Sequence, residues 1–232
     1  MADEKRYGLQ KVTLVDYPGE VAATIFTTGC NMHCPYCHNA QLAAGEISAA
    51  FFSLNQLYDY FENRKGLLQA VCISGGEPLL DKNIFALTEK LHAMGYKIKL
   101  DTNGTMPEKI LQIPASYIAM DFKTSPHRYK ELGFTHKEAK EKITQSAKII
   151  MESKTDYEFR TTAMPGIVER DDIIEIVKTI KGAKRYVITQ FNPAITLDPQ
   201  ASFVKPHSKA TLEEFAAIAG RENIPTTIRG LN

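Results

Sequence analysis

The chain has no long hydrophobic run and no excess of charge of one sign. No stretch of its 232 residues approaches the roughly 18 consecutive apolar residues of a membrane span. The N-terminal Met-Ala-Asp-Glu-Lys-Arg lacks the apolar segment of a signal peptide. The 28 Lys and Arg residues balance 27 Asp and Glu residues, so no basic surface typical of nucleic-acid binding is expected. These absences predict a cytoplasmic protein that binds neither membrane nor nucleic acid.

Cysteine is also scarce, and three of the four cysteines stand close together. Cys30, Cys34 and Cys37 form a C-x3-C-x2-C motif after an apolar stretch, whereas Cys72 lies within one and is typical of a core residue. This pattern does not suit a disulfide framework, and a cytosol keeps thiols reduced. Three thiolates can hold three corners of an iron-sulfur cube and leave one iron open. A zinc site completed by a neighbouring histidine and a redox dithiol are the alternatives.

Six apolar stretches alternate with amphipathic helical patterns along the chain. The predicted strands are Val21 to Thr27, Ala70 to Ser74, Ile98 to Asp101, Tyr117 to Asp121, Tyr157 to Thr162 and Tyr186 to Gln190. Ser53, with Gln56 three residues later, indicates a capped helix start. Repeated strand-helix units imply parallel strands, in either an open doubly wound sheet or a partial barrel of six units. We expect one domain over residues 1–232, with residues 1–20 preceding the first core strand.

Unusual polar residues follow successive predicted strands. The second strand runs into Gly75-Gly76-Glu77-Pro78, the third ends in Asp101-Thr102-Asn103-Gly104, the fourth ends in Asp121-Phe122-Lys123, and Arg160 lies on the fifth. Each run alone is typical of a turn or a solvated ion pair, although two glycines also let a backbone approach a ligand closely. Because chemistry gathers at the carboxyl ends of parallel strands, their succession predicts one ligand site.

The cysteine motif, with Tyr36 before its third cysteine and the Gly-Gly-Glu-Pro run after the next strand, resembles the radical S-adenosylmethionine superfamily. The resemblance implies an α/β fold with a partial (β/α)6 TIM-type barrel. It also implies one [4Fe–4S] cluster on Cys30, Cys34 and Cys37, with S-adenosylmethionine on the open iron. One electron from the cluster then cleaves the sulfonium to methionine and a 5′-deoxyadenosyl radical. No cysteine lies between Cys37 and Cys72, so no additional ferredoxin-like cluster is expected.

The resemblance also assigns residues to the cosubstrate. Gly75, Gly76 and Glu77 would meet its amino group, and the backbone from Tyr36 through Cys37 to His38 would meet the adenine. Its carboxylate end or ribose would be bound, directly or through a monovalent cation, by Asp101, Thr102, Asp121 and Lys123. Asn103 and Arg160 would contact the cosubstrate too.

Two departures from the family pattern affect this assignment. Related activators carry a histidine that reaches the ribose after the sixth strand, where this chain has Gln190-Phe191-Asn192-Pro193. Met120 precedes Asp121 by one place instead of two, which alters a cation site built from both.

Two further segments narrow the resemblance. The run from Asp101 to Gly104, followed by Asp121-Phe122-Lys123, is similar to glycyl-radical-activating enzymes, including activators of pyruvate formate-lyase. The run from Gly8 to Gly19, with Cys-His-Asn at 37–39, looks most like anaerobic ribonucleoside-triphosphate reductase activating proteins. That likeness implies a glycyl-radical enzyme as protein substrate and a flavodoxin- or ferredoxin-type electron donor. A radical enzyme acting on a small molecule, such as a carboxy-deazaguanine synthase, and a non-catalytic iron-sulfur or zinc module are the alternatives.

Overall fold

The computed structural model describes residues 6–46, 48 and 50–231. The strands are β1 Gly8–Thr13, β2 Ala22–Thr27, β3 Ala70–Gly75, β4 Lys97–Thr102, β5 Tyr117–Asp121, β6 Asp156–Ala163, β7 Tyr186–Gln190 and β8 Thr226–Arg229. The α-helices are α1 Ala40–Ala43, α2 Leu54–Glu62, α3 Ile84–Ala93, α4 Pro107–Ile110, α5 Ala139–Glu152, α6 Arg170–Thr179 and α7 Lys209–Arg221. Short 3-10 segments lie at Pro78–Leu80, Pro126–Leu132 and Pro199–Phe203. The first five residues of the predicted N-terminal extension lie outside the described residues.

The strands follow one another in the sheet in the same order as in the chain, from β1 to β8. β2, β3 and β4 pair in parallel, and so do β6, β7 and β8. A doubly wound sheet reverses its strand order at a switch point, whereas a (β/α) barrel does not. The observed order therefore confirms the barrel-type α/β fold.

Two strands were not predicted. β1 pairs antiparallel with β2, and its register shifts between Gln10 and Thr13. β8 pairs in parallel with β7. The six predicted core strands are confirmed, and these two extend the sheet at its ends.

Helix starts follow from local capping chemistry. Ser53 accepts a hydrogen bond from the Gln56 main-chain N, and the Gln56 side chain accepts from the Ser53 N, which completes the predicted capping box at α2. α6 begins with the equivalent exchange between Glu169 and Asp172. Ser208 caps α7 by accepting from Thr211 N at 3.1 Å.

The described residues form two compact units, each discontinuous in sequence. The first comprises 1–31, 41–102 and 108–118, without the undescribed positions. Its core is made by one face of β2, β3 and β4 together with α2 and α3. Core members include Ile25, Leu57, Phe61, Ile73, Leu87, Leu91, Tyr96, Ile98 and Leu100. The Phe61 and Tyr96 rings meet edge to face, with centroids 5.3 Å apart.

The second unit comprises 32–40, 103–107 and 119–232, without the undescribed terminal residue. Its core joins β6, β7 and β8 to α5, α6 and α7 and includes Phe122, Tyr129, Ile143, Phe159, Ile173, Val177, Ile188, Leu212 and Phe215. Phe122 and Phe159 meet edge to face at 5.5 Å. Within the described ranges, no helix is both long and apolar enough to cross a membrane.

Candidate active site

In the first unit, main-chain hydrogen bonds hold the loop that follows β2 and carries Cys30. Gly29 N donates to Leu42 O at 2.7 Å, and Gly29 O accepts from Glu77 N at 2.9 Å. Gly29 has a φ of +89°, a left-handed conformation that glycine adopts without strain. Cys30 is partly exposed and is not in a disulfide. The loop therefore fixes the main chain next to Cys30 and leaves its thiol within reach of solvent.

The glycine pair after β3 packs against this loop. A Cβ on Gly75 would stand 2.3 Å from Thr27 O, and a Cβ on Gly76 would stand 2.0 Å from Gly29 O. Gly76 N also donates to Thr27 O at 3.0 Å. The sequence suggested that these glycines admit a ligand, but the space where their side chains would project is filled by protein backbone. Their absent side chains let the end of β3 support the residues before Cys30.

Glu77 and Thr102 join the ends of β3 and β4 in the first unit. The Glu77 side chain is almost fully buried, and its Oε1 accepts from Thr102 Oγ1 at 2.8 Å and from Leu79 N at 3.2 Å. Asp101, one residue before Thr102, forms an ion pair with Lys99. Lys99 is a site residue that was not predicted. Its position two residues before Asp101 on a strand places both side chains on one face, which is the signal that could have identified it.

The second unit holds the other two cysteines of the motif. Cys34 is buried and Cys37 is partly exposed, and neither is in a disulfide. Cys37 N donates to Cys34 O at 3.0 Å, which closes a turn, and Pro35 O within that turn accepts from Leu197 N and Asp198 N, each at 3.0 Å. The His38 side chain is exposed. The turn thus fixes the spacing of the second and third cysteines.

An ion-pair cluster joins the end of β5 to the middle of β6 in the second unit. Asp121 Oδ1 accepts from Arg160 Nε at 2.7 Å, Asp121 Oδ2 accepts from Arg160 Nη2 at 3.3 Å, and Lys123 Nζ lies 2.9 Å from Oδ2. Burial opposes the charge of Asp121, but Arg160 and Lys123 outweigh it and hold the pKa of that carboxyl well below its usual range. The buried Glu158 adds a second carboxylate, whose Oε1 lies 4.0 Å from Arg160 Nη1, so the two cations of the cluster face two carboxylates.

Tyr36 links the cysteine turn to this cluster. Its hydroxyl donates to Lys123 O at 2.8 Å, and burial together with the neighbouring Cys34 raises the pKa of Tyr36 well above its ordinary value. Burial lowers the pKa of Lys123, but Asp121 and Cys34 overcome that effect and raise it. Tyr36 and Lys123 therefore connect the turn that carries Cys34 to the ion-pair cluster.

Asn103, a predicted site residue, and Gln190, which was not predicted as one, bond to the protein's own loops. Asn103 Oδ1 accepts from Thr105 N at 3.0 Å and from Thr105 Oγ1 at 2.7 Å. Gln190, where related activators have a ribose-binding histidine, donates through Nε2 to His207 O at 2.7 Å. The contact of Asn103 with a cosubstrate stays a prediction, whereas Gln190 stands at a departure from the family pattern.

The donor set suits a cluster better than a single metal ion. Among residues 6–46, 48 and 50–231, no three His, Cys, Asp or Glu side chains converge on a site for one ion. In a [4Fe–4S] cube each cysteine thiolate binds a different iron, so its ligands lie farther apart than those of a single ion. Three thiols outside disulfides, two of them partly exposed, therefore fit an iron-sulfur cube with one open iron.

Comparison with known proteins gives a consistent result. The profile of the Radical SAM superfamily matches residues 24–188. A Methanocaldococcus jannaschii protein assigned as a glycyl-radical enzyme activating enzyme is 31% identical over 238 residues, covering 97% of this chain and 95% of that protein. A 7-carboxy-7-deazaguanine synthase of Archaeoglobus fulgidus is 25% identical over 160 residues, covering 66% of this chain and 67% of that enzyme.

One solved structure with a similar fold contains the expected cosubstrate. Streptococcus suis SuiB bound to S-adenosylmethionine superposes with a TM-score of 0.65 at 18% identity, over 88% of this chain and 49% of SuiB. At this identity the likeness shows the fold alone.

Proposed function

Because this chain belongs to the radical S-adenosylmethionine superfamily, we propose that it activates a glycyl-radical enzyme by removing a hydrogen atom from one of that partner's backbone glycines. The chain is an enzyme whose family uses a [4Fe–4S] cluster and S-adenosylmethionine. The observation that carries the proposal is the cysteine motif after β2, supported by Gly75 and Gly76, in a chain that aligns over 97% of its length with an assigned activator.

Cys30, Cys34 and Cys37 are the proposed cluster ligands. When bound, cluster and cosubstrate supply a one-electron cleavage of the sulfonium that yields a 5′-deoxyadenosyl radical. The protein's part is to hold the ligands, orient the cosubstrate and exclude water. Gly29 N donates to Leu42 O, and Pro35 O accepts from Leu197 N and Asp198 N; these hydrogen bonds fix the loops on which the cysteines lie.

The amino and carboxylate groups of the cosubstrate suit different parts of the proposed site. An amino group donates hydrogen bonds, so it suits main-chain carbonyl oxygens of Gly75 and Gly76, whereas Gly76 N and Glu77 N already donate to Thr27 O and Gly29 O. A carboxylate suits the charged N–H donors of Lys123 and Arg160, which also pair with Asp121 and Glu158. The full proposed set is Tyr36, Cys37, His38, Gly75, Gly76, Glu77, Asp101, Thr102, Asn103, Asp121, Lys123 and Arg160.

The proposed partner is an anaerobic ribonucleoside-triphosphate reductase, with a flavodoxin- or ferredoxin-type protein as electron donor. Support comes from the N-terminal run Gly8 to Gly19 and the Cys-His-Asn at 37–39, which resemble activators of that reductase. The M. jannaschii relative supports the coarser class of glycyl-radical activators.

The test reconstitutes the cluster without oxygen, reduces it and adds S-adenosylmethionine with the reductase. We expect a paramagnetic doublet on the reductase and one 5′-deoxyadenosine per radical, both absent when the partner's glycine is replaced by alanine. Cys37→Ala should lose the cluster, whereas Cys72→Ala should keep it, because Cys72 is buried in β3 and donates to Asp16 O at 3.1 Å.

Other outcomes would assign a different function. Steady 5′-deoxyadenosine formation with a deazaguanine precursor, without a radical on any protein partner, would favour the small-molecule reaction to which the A. fulgidus similarity points. Colourless protein that contains zinc and no iron would overturn the radical mechanism.

A further inference from the structure

A lysine is buried at the predicted ligand site of the first unit. The Lys99 side chain is 2% exposed and forms an ion pair with Asp101, whose side chain is 16% exposed. Lys99 lies opposite Cys72 on β3, and Cys72 lies opposite Thr24 on β2. Thr24 Oγ1 donates to Asp16 Oδ2 at 2.6 Å, whereas the ion pair of Lys99 is with Asp101. Burying an ammonium is costly unless it is paired, and Asp101 supplies the opposite charge.

The second carboxylate that the family resemblance offers to a monovalent cation is also paired. In the second unit, Asp121 binds Arg160 at 2.7 Å and Lys123 at 2.9 Å. Met120, the other candidate ligand, packs its thioether against Gly104, where a Cβ would stand 3.0 Å from the Met120 Sδ and 2.2 Å from its Cε. These residues do not fit a free alkali-metal ion, because each carboxylate already has a fixed cation beside it.

We propose that Lys99 takes the place of a monovalent cation at Asp101, so that this enzyme binds its cosubstrate independently of sodium and potassium. Lys99 is thus a positioning residue that acts through Asp101. An ion placed beside Asp101 would meet the Lys99 ammonium, and like charges repel at short range. The inference rests on the proposed function in one respect, namely that Asp101 faces the cosubstrate.

The first test measures thermal unfolding of the full chain in choline, sodium and potassium chloride at equal ionic strength. We expect the wild-type midpoint to be the same in all three salts. Lys99→Met leaves Asp101 without its cation, so its midpoint should be lowest in choline chloride and should rise saturably with sodium or potassium. Adding Asp101→Asn to Lys99→Met should abolish that response.

Lys97→Met is the matched control. Lys97 lies on the same strand, and its side chain is 54% exposed in an ion pair with Glu20. Removing it should create no preference for sodium or potassium over choline. A salt-specific response of Lys97→Met equal to that of Lys99→Met would contradict a special role for the buried pair.

The second test measures S-adenosylmethionine binding to the reconstituted protein by equilibrium dialysis. The wild-type dissociation constant should be the same in choline and potassium chloride, whereas Lys99→Met should bind on the order of tenfold more weakly in choline. The proposal would be overturned if the wild-type unfolding midpoint rises saturably with potassium and Asp101→Asn shows no such rise. This outcome can be observed even if Lys99→Met does not fold. The unfolding arm needs no turnover and no partner, so its failure is distinct from failure of the proposed function.

Discussion

Replacing Gly76 by alanine is expected to release the cluster rather than block the cosubstrate. The added Cβ would stand 2.0 Å from Gly29 O, whereas Cβ atoms essentially never approach within 3.0 Å of another heavy atom. Gly29 must therefore retreat by at least 1.0 Å, and Cys30 is the next residue. Metal-ligand distances tolerate only about 0.2 Å, so the shift exceeds what a cluster ligand can absorb in place.

The cost in folding free energy should be moderate. Overpacking of this kind typically costs about 1–3 kcal/mol, and Gly76 itself has no left-handed φ to add backbone strain. The variant should therefore fold and still fail to hold iron. Iron and sulfide per chain after anaerobic reconstitution measure the loss, and circular dichroism confirms folding.

Gly220→Ala provides the control for adding a methyl group. Gly220 lies in α7, and a Cβ there would meet nothing within 4 Å. This change should keep full iron and gain about 0.5–1 kcal/mol of stability from helix propensity. If Gly76→Ala keeps full iron and only S-adenosylmethionine binding weakens, the glycine serves ligand approach and the packing argument is wrong.

Three further perturbations address the second unit. Asp172→Ala should lower the free energy of unfolding by about 2–4 kcal/mol, because the buried Asp172 carboxylate accepts from Arg128 Nη1 at 2.6 Å and Glu169 N at 3.0 Å. Asp171→Ala, at a side chain 96% exposed, should change it by less than about 0.5 kcal/mol. Equal losses for the two variants in denaturant unfolding would refute the structural role of Asp172. The lowered pKa of Asp121 means that its ion pairs stabilise the fold above about pH 4, and this contribution is lost as the pH falls further. The difference in unfolding free energy between wild type and Asp121→Asn should therefore shrink in acid. A difference that stays constant with pH would contradict the stabilising role of these ion pairs. Tyr36→Phe removes the hydrogen bond to Lys123 O and should cost about 1 kcal/mol without loss of iron, so iron loss would show that the hydroxyl also serves the cluster.

Apolar continuity in the sequence was enough to predict the six core strands, because buried parallel strands are apolar on both faces. It could not predict β1, where positions 10–12 are exposed and only Gly8 and Thr13 at the ends are buried. β8 is four residues long with no buried position. Both segments are strands because they pair with β2 and β7, and this pairing is not visible in the pattern of either segment alone.

The polar residues at the strand ends were predicted, but only some of their partners were. The sequence offered Asp121 and Lys123 as an ion pair or as ligand contacts, and the structure shows the ion pair joined by Arg160, whose pairing was not predicted. Lys99 alternates with Ile98 and Leu100 like an exposed strand residue, yet it is buried against Asp101. Whether a charged side chain is buried depends on the atoms that neighbouring strands and helices pack around it, and the sequence of one strand does not show those atoms.

The antiparallel pairing of β1 has a consequence for the motif that follows β2. Without it, the backbone amides and carbonyls along one side of β2 would form an open edge, the kind of border that frays and recruits foreign strands. Residues 8–13, which precede the first predicted core strand, make β2 an interior strand, with partners from Gly8 opposite Phe26 to Thr13 opposite Ala22. Deleting the residues of β1 should therefore destabilise β2, which leads into the loop that carries Cys30. Amide hydrogen exchange along 22–27 should accelerate before any iron is lost.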